Sequence, residues 1–214
     1  MRRRNPGEQR VAVGTGTIIV TRPVDPDALL EEATEDAPYW AVVWPSAIAL
    51  AEELGQRPVE DMRMVELGCG LGLPSLAAAV LGARVLATDV APEALKYVRE
   101  SARRLGATVE TLVVDVTAPP AALLDRAPFD LVVAADLLYE GPLARAVTDL
   151  LALLCGRGSE VLVAYPWPEQ GPGLAARLLA AVPGLELVEA RRDIAGFRSG
   201  ERTSISVVRG TLPA

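Results

Sequence analysis

The stretch VELGCGLGLPSLAAAVLGARVLATD, residues 65 to 89, constrains this chain more than any other. An apolar run ends in closely spaced glycines, a helical pattern opened by Pro74 follows, and a second apolar run stops at Asp89. Strand, tight turn, helix and strand in that order form a βαβ unit, whose right-handed crossover makes the two strands parallel. The alternation continues along the chain. Strands are expected at Arg63 to Leu67, Arg84 to Thr88, Thr108 to Val114, Asp130 to Ala134 and Glu160 to Ala164, with helices near 74 to 81, 92 to 105, 142 to 154 and 172 to 182. Pro74 and Pro92 suit first-turn positions, where a missing N–H costs nothing, and Gly82 and Gly106 suit helix ends. Such a chain folds as an α/β unit, a mostly parallel sheet with helices on both faces.

The two ends depart from this rhythm. Leu185 to Ile194 and Ser204 to Thr211 both read as strands, joined by GFRSGE with no helix between, so they are expected to pair antiparallel. Near the start, GTGT stands between VAV and IIV, which suggests a small hairpin, and an acidic segment then leads to Trp40. Residues 1 to 37 are read as this hairpin and lead-in and residues 38 to 214 as the main domain, together one compact unit.

Composition excludes several chemistries. The chain has no histidine, so histidine triads and histidine acid-base steps are out. Cys69 and Cys155 are the only cysteines, too few for a disulfide framework, and no metal site is expected. The net charge of −7 argues against general nucleic-acid binding, which needs basic surface, and favours a basic or neutral substrate. No apolar stretch reaches the roughly 18 uncharged residues that span a bilayer. MRRRNPGEQR has the charge of a signal peptide without its apolar segment. The chain reads as soluble, cytoplasmic and, by default, monomeric.

A strand-to-helix loop at the carboxyl edge of a parallel sheet is where α/β proteins bind ligands. Gly68 and Gly70 are expected to let the backbone approach that ligand without a Cβ in the way, and Gly72 to ease the turn into the helix. The dinucleotide fingerprint needs its third glycine where Leu73 stands, so a nicotinamide-dependent dehydrogenase is disfavoured. What stands here is ExGxGxG, with Glu66 before the loop and Asp89 ending the second strand. A carboxylate at the second strand end suits the two hydroxyls of a ribose, and one near the loop suits a ligand carrying an amine. Cys69 fits as a small loop residue, since nothing activates it as a nucleophile.

With these residues in place, VELGCGLGLPSLAAAVLGARVLATD resembles the cofactor-binding motif of the seven-strand S-adenosylmethionine methyltransferases. The resemblance covers roughly residues 38 to 210. It implies a Rossmann-like, doubly wound, mostly parallel seven-stranded sheet with a C-terminal antiparallel hairpin. It also implies S-adenosyl-L-methionine as cofactor, with the glycine loop at the methionine moiety, Asp89 at the ribose, and Asp115 with Val116 at the adenine. The implied cofactor set is Trp44, Glu66, Gly68, Cys69, Gly70, Asp89, Asp115, Val116 and Ala135.

Two further stretches resemble one branch of that family, the protein-lysine and nicotinamide N-methyltransferase-like enzymes. PYWAVVWPSAIAL, residues 38 to 50, carries a W-x-P-like motif and sets Trp40 and Trp44 four apart, on one face if helical. AADLLYE, residues 134 to 140, carries the D-x-x-Y motif as Asp136 and Tyr139. The resemblance implies Asp136 and Tyr139 as catalytic residues, and Trp40, Tyr139, Glu140 and Trp167 as the acceptor wall. The implied reaction is N-methylation of a protein lysine, with a small-molecule N-, O- or C-acceptor as the alternative. Asp136 would orient the amine or accept its proton, and Tyr139 would favour the cationic transition state.

Overall fold

The computed structural model describes residues 7–14, 16–31, 37–137, 142–166, 174–196 and 201–213. The main sheet has seven strands: β3 (Arg63–Leu67), β4 (Arg84–Asp89), β5 (Val109–Val113), β6 (Phe129–Ala135), β7 (Cys155–Pro166), β8 (Glu186–Ala195) and β9 (Arg202–Thr211). Their order across the sheet is β5-β4-β3-β6-β7-β9-β8. Strands β3 to β7 run parallel, while β9 runs antiparallel to both neighbours and so slots between β7 and β8. The expected C-terminal pair is present, and one of its strands joins the sheet interior.

Alternation along the central strands divides the core. On β6, Val132 and Ala134 join a cluster with Val147, Leu151 and Leu154 of helix α6 (Pro142–Leu154) and Leu178 of α7 (Leu174–Ala181). Leu131 and Val133 point the other way, into a cluster with Leu50 and Leu54 of α2 (Pro45–Leu54). Successive strand residues face opposite sides, so a strand apolar at every position is one covered on both faces. Helices α3 (Leu73–Val80) and α4 (Pro92–Leu105) cross between β3, β4 and β5, and short α5 (Ala121–Leu124) precedes β6. Gly106 takes φ 67 to end α4, as its position predicts.

Strand β7 begins five residues earlier than sequence suggests. The register with β6 slips between the Phe129–Cys155 and Leu131–Glu160 pairs, and Gly158 at φ 77 lets the backbone kink there. Ser159 fastens the irregularity: its Oγ accepts from the Gly156 N–H at 2.8 Å and donates to the Phe129 carbonyl at 2.6 Å. Glycines and a serine read as a turn, and a bulge consumes them inside a strand.

Ahead of the sheet, β1 (Gly7–Val13) and β2 (Gly16–Arg22) pair antiparallel with Val11 opposite Ile18. Their buried residues pack on Leu76, Ala77 and Ala102 of α3 and α4, and the Thr21 N–H donates to the Ser101 hydroxyl at 2.8 Å. A short helix α1 (Pro26–Glu31) follows. Helix α2 is braced at its far end, where Glu53 pairs with Arg192 of β8 and with Arg209 of β9 at 3.4 Å. Among the described residues no helix is long and apolar enough to cross a membrane.

Candidate active site

Strand β3 ends at Leu67, and Gly68, Gly70 and Gly72 follow with φ of 57, 52 and 73. Left-handed backbone at three alternate residues coils the chain tightly, and glycine alone adopts it without strain. The Cys69 N–H donates to the Thr88 carbonyl at 2.8 Å, which ties the loop to β4. A Cβ on Gly68 would lie 2.6 Å from the Leu137 side chain, and one on Gly70 would lie 3.3 Å from the Trp40 carbonyl. A Cβ on Gly72 would meet Val98 of α4 at 2.8 Å. These glycines therefore make room for neighbouring protein, and they line a cavity as well. Gly68→Ala is expected to destabilise the fold by about 1–2 kcal/mol from its left-handed backbone alone, plus the displacement of Leu137. A drop of several degrees in melting temperature is the readout.

Both carboxylates of the βαβ unit hold the loop in shape. Asp89 is 7% exposed; its Oδ2 accepts from the Gly70 N–H and its Oδ1 from the Ala91 N–H, each at 2.8 Å. Burial raises its pKa and these backbone donors oppose the rise. Glu66 is 1% exposed, and its Oε2 accepts from the Ser75 N–H at 2.9 Å and the Ser75 hydroxyl at 2.5 Å. The first turn of a helix has N–H groups without partners, and Glu66 satisfies one of them from the neighbouring strand. Burial pushes Glu66 up to about 8, so it is protonated at neutral pH. Burial, and after it the neighbouring acids, drives the Cys69 thiol well above the ordinary range and leaves it inert as a nucleophile. Burial likewise takes Cys155 to about 11.

The tryptophans do not share a helix face. Trp40 lies in a 3-10 turn, Tyr39–Ala41, while Trp44 is extended at φ −79, ψ 152, immediately before α2. Pro45 is the reason: the residue before a proline is pushed out of helical conformation. The Trp40 ring stacks on Tyr97 of α4 at 5.8 Å, and the Trp44 Nε1–H donates to the Tyr39 carbonyl at 2.9 Å. The segment thus lies across the glycine loop, fastened at both tryptophans.

Asp136 follows β6 directly. Its φ is 51, unusual for a residue with a Cβ, and its N–H donates to the Ala164 carbonyl at 3.0 Å. Oδ1 accepts from the Ser46 hydroxyl at 2.7 Å, whereas Oδ2 is buried with no partner among the described residues. Burial raises the carboxyl to about 6, with Ser46 pulling the other way. Asp115 is exposed, and its Oδ1 accepts from both the N–H and the hydroxyl of Thr117, which hold its pKa low.

One cavity of about 710 Å³ gathers these groups. Trp40 and Trp44 line it together with Glu66, Gly68, Cys69 and Gly70. Asp89, Asp115, Val116, Ala135 and Asp136 complete the expected set. Because β5, β4, β3 and β6 are consecutive in the sheet, Asp115, Asp89, the glycine loop and Asp136 stand in that order along its carboxyl edge. Three strand spacings separate the ends, about 14 Å. Tyr139, Glu140 and Trp167 lie outside the described residues. Sequence reasoning missed Ser46, Ser75 and Leu137. Ser46 had a signal in its place just after Trp44-Pro45, at the start of an apolar periodic run.

A family model described as lysine methyltransferase matches residues 26–170. The chain belongs to the lysine methyltransferase family. Within that family's reach, protein-lysine methyltransferase METTL21E of Bos taurus is 32% identical over 148 residues, covering 62% of this chain and 49% of the relative. Histone-arginine methyltransferase METTL23 of Xenopus laevis is 35% identical over 109 residues, covering 48% and 46%. This lysine methyltransferase family member spans about half the length of the curated relatives it matches. Among solved structures, the T. thermophilus 16S rRNA N2 G1207 methyltransferase in complex with AdoMet and guanosine superposes with a TM-score of 0.69 at 16% identity, covering 98% of this chain and 51% of that one. That likeness establishes a shared fold.

Proposed function

We propose that this chain is an S-adenosyl-L-methionine-dependent methyltransferase that acts on the side-chain nitrogen of a lysine in a protein. The observation that carries the reading is Asp136, a residue of the cavity wall that Asp89 and the glycine loop also line, whose Oδ2 is buried with no partner among the described residues. A buried acceptor without a donor is costly unless a ligand supplies one. The family match and the METTL21E relative support lysine as that ligand.

The residues fit the cofactor. The cavity has the volume of a ligand pocket, within the roughly 300–1,000 Å³ common for such sites. Asp89 spends one lone pair of each oxygen on backbone and keeps others for the ribose hydroxyls, and Asp115 with Val116 takes the adenine end. The cofactor supplies the methyl group on a sulfonium and departs as S-adenosyl-L-homocysteine. The chain's own work is positioning: Trp44 and the glycine loop enclose the methionine end, with Glu66, Cys69 and Ala135 beside it. Asp136 accepts an N–H of the acceptor amine, which turns the nitrogen lone pair toward the reacting carbon. A lysine amine has a pKa of about 10.4 and a nearby carboxylate raises it, so burial must favour the neutral form. Trp40, Tyr139, Glu140 and Trp167 are assigned to the acceptor wall in this reading. In this reading the acceptor is a protein side chain, and the two free cysteines suit a reducing cytoplasm.

The test is incubation with methyl-labelled S-adenosyl-L-methionine and bacterial lysate protein, followed by acid hydrolysis and separation of the labelled amino acids. Label is expected in methyl-lysine. Lys96, the chain's only lysine, is exposed and paired with Glu93 at 3.0 Å, so Lys96→Arg removes any signal from the enzyme itself. Label confined to small molecules would replace the reading with a metabolite methyltransferase.

A further inference from the structure

A second cavity, of about 610 Å³, adjoins the first, and Val42 and Val43 line both. Its other sides are the hairpin at residues 9–12 and Arg22, helix α2 at Glu52, and the end of β8 at Asp193 with Arg202 of β9. Both β7 and β8 run antiparallel to β9, so the end of β8 stands at the same carboxyl edge of the sheet as Asp136.

Backbone and charge together say what this cavity fits. Four consecutive residues of β1, Gln9, Arg10, Val11 and Ala12, line it. Side chains alternate between the two faces of a strand, so a cavity that meets four residues in a row meets the strand at its edge. Among the described residues β1 pairs with β2 alone, and no further backbone hydrogen bond joins residues 9–12 to another element. Alternate N–H and C=O groups along that edge are open, and their complement is the main chain of an extended peptide. The charge is set by Arg10, Arg22 and Arg202 against Glu52 and Asp193. Among the described residues no ion pair ties any of these three arginines to a carboxylate, whereas Arg57 has Glu160, Arg84 has Asp61, Arg104 has Glu100 and Arg192 has Glu53. Arg22 is also half-buried, and a partly desolvated guanidinium without a counterion is stabilised by an arriving carboxylate. In a chain of net charge −7 the cavity is a local positive excess.

We propose that this cavity takes an extended segment of the protein acceptor that carries acidic side chains, added as a strand along the free edge of β1, with Arg22 on one of the acids. The segment lies across Val42 and Val43 from the cavity proposed for the lysine. The partner's identity rests on the protein-lysine reading above, and the experiment keeps the two apart.

A fluorescent, acetylated peptide of alternating glutamate and valine, about eight residues and so the length of a strand, is titrated into the full chain and read by polarisation. The same peptide with its amides N-methylated keeps the charges and loses the main-chain donors, and inorganic phosphate serves as a free-anion competitor. The peptide is expected to bind, to slow labelling of lysate protein and to leave cofactor affinity unchanged. N-methylation and Arg22→Gln are each expected to weaken binding about ten-fold. Where Arg22→Gln does not fold, Arg202→Gln, at an exposed position, reads the same loss. No binding, or equal binding of the N-methylated peptide, overturns strand addition. Displacement by phosphate at the peptide's own concentration marks a free-anion site and overturns it too. Unchanged affinity in both arginine variants removes the acidic side chain, and a peptide that binds while labelling proceeds unslowed removes the acceptor from this cavity. Binding is read without turnover, so wild type that binds the peptide and labels no lysine keeps the strand site and sinks the lysine reading.

Discussion

Asp136→Asn is expected to lower kcat about 10²- to 10⁴-fold, the range seen when a positioned acid-base group is removed, while cofactor affinity stays within a few-fold. The change is nearly isosteric. Asparagine keeps an oxygen for the Ser46 hydroxyl, so the one atom that changes character is Oδ2, unpartnered among the described residues, which becomes an N–H donor. A donor there repels the N–H it should receive. The pH profile gives a second readout. With Asp136 held up at about 6, the carboxyl is protonated and a poor acceptor below that pH, and is a carboxylate above it. The amine deprotonates only at much higher pH and contributes a steady rise throughout. In wild type the logarithm of kcat/KM should therefore climb more steeply below pH 6 than above it, and in Asp136→Asn the break should be gone. An asparagine variant with more than a tenth of the wild-type rate would remove Asp136 from the chemistry.

The second large effect concerns stability. Glu66 moves from an ordinary value of 4.5 to about 8 on folding, chiefly through burial. The folded state therefore holds a proton that the unfolded chain releases above about 4.5, and stability is lost as pH rises through the window between these two values. The slope is about 1.4 kcal/mol per pH unit, so roughly 4 kcal/mol between pH 5 and 8, on the order of 10 °C in melting temperature for a chain this size. Glu66→Gln keeps an oxygen for both Ser75 donors and has no proton to lose. Its melting temperature should exceed that of wild type at pH 8 and converge with it near pH 5. Asp89 and Asp136 are also raised and slope the same way, but they are present in both proteins and cancel in the comparison. Parallel melting curves across that range would refute the assignment of Glu66 as a neutral group.

The parts of the site that sequence made legible are the local ones. Gly68, Gly70 and Asp89 belong to a strand, turn, helix and strand within 25 residues, and backbone geometry forces their meeting at one sheet edge. The C-terminal pair was legible for a similar reason, since two strands with only a turn between them pair antiparallel. Long-range pairings left no such trace. Nothing near Ser46 in the chain indicates Asp136, because their contact depends on α2 packing beneath β6. Glu66 showed its charge in the sequence but not its neutrality, which arises from burial and persists against the opposing hydrogen bonds from Ser75 on the next helix. The helical spacing of Trp40 and Trp44 misled, because Pro45 overrides periodicity at the residue before it. β7 began early because Gly158 and Ser159 form a bulge inside the strand.

The strand order has a consequence for how such a protein can diverge. After β3 the chain adds β4 and β5 on one side of it, then doubles back to add β6 and β7 on the other. Residues 84 to 116 thus furnish the end proposed for the nucleoside, and residues from 129 onward, with Trp40 from ahead of the sheet, furnish the end proposed for the acceptor. Substitutions after β6 can therefore reshape the end proposed for the acceptor without touching Asp89 or Asp115.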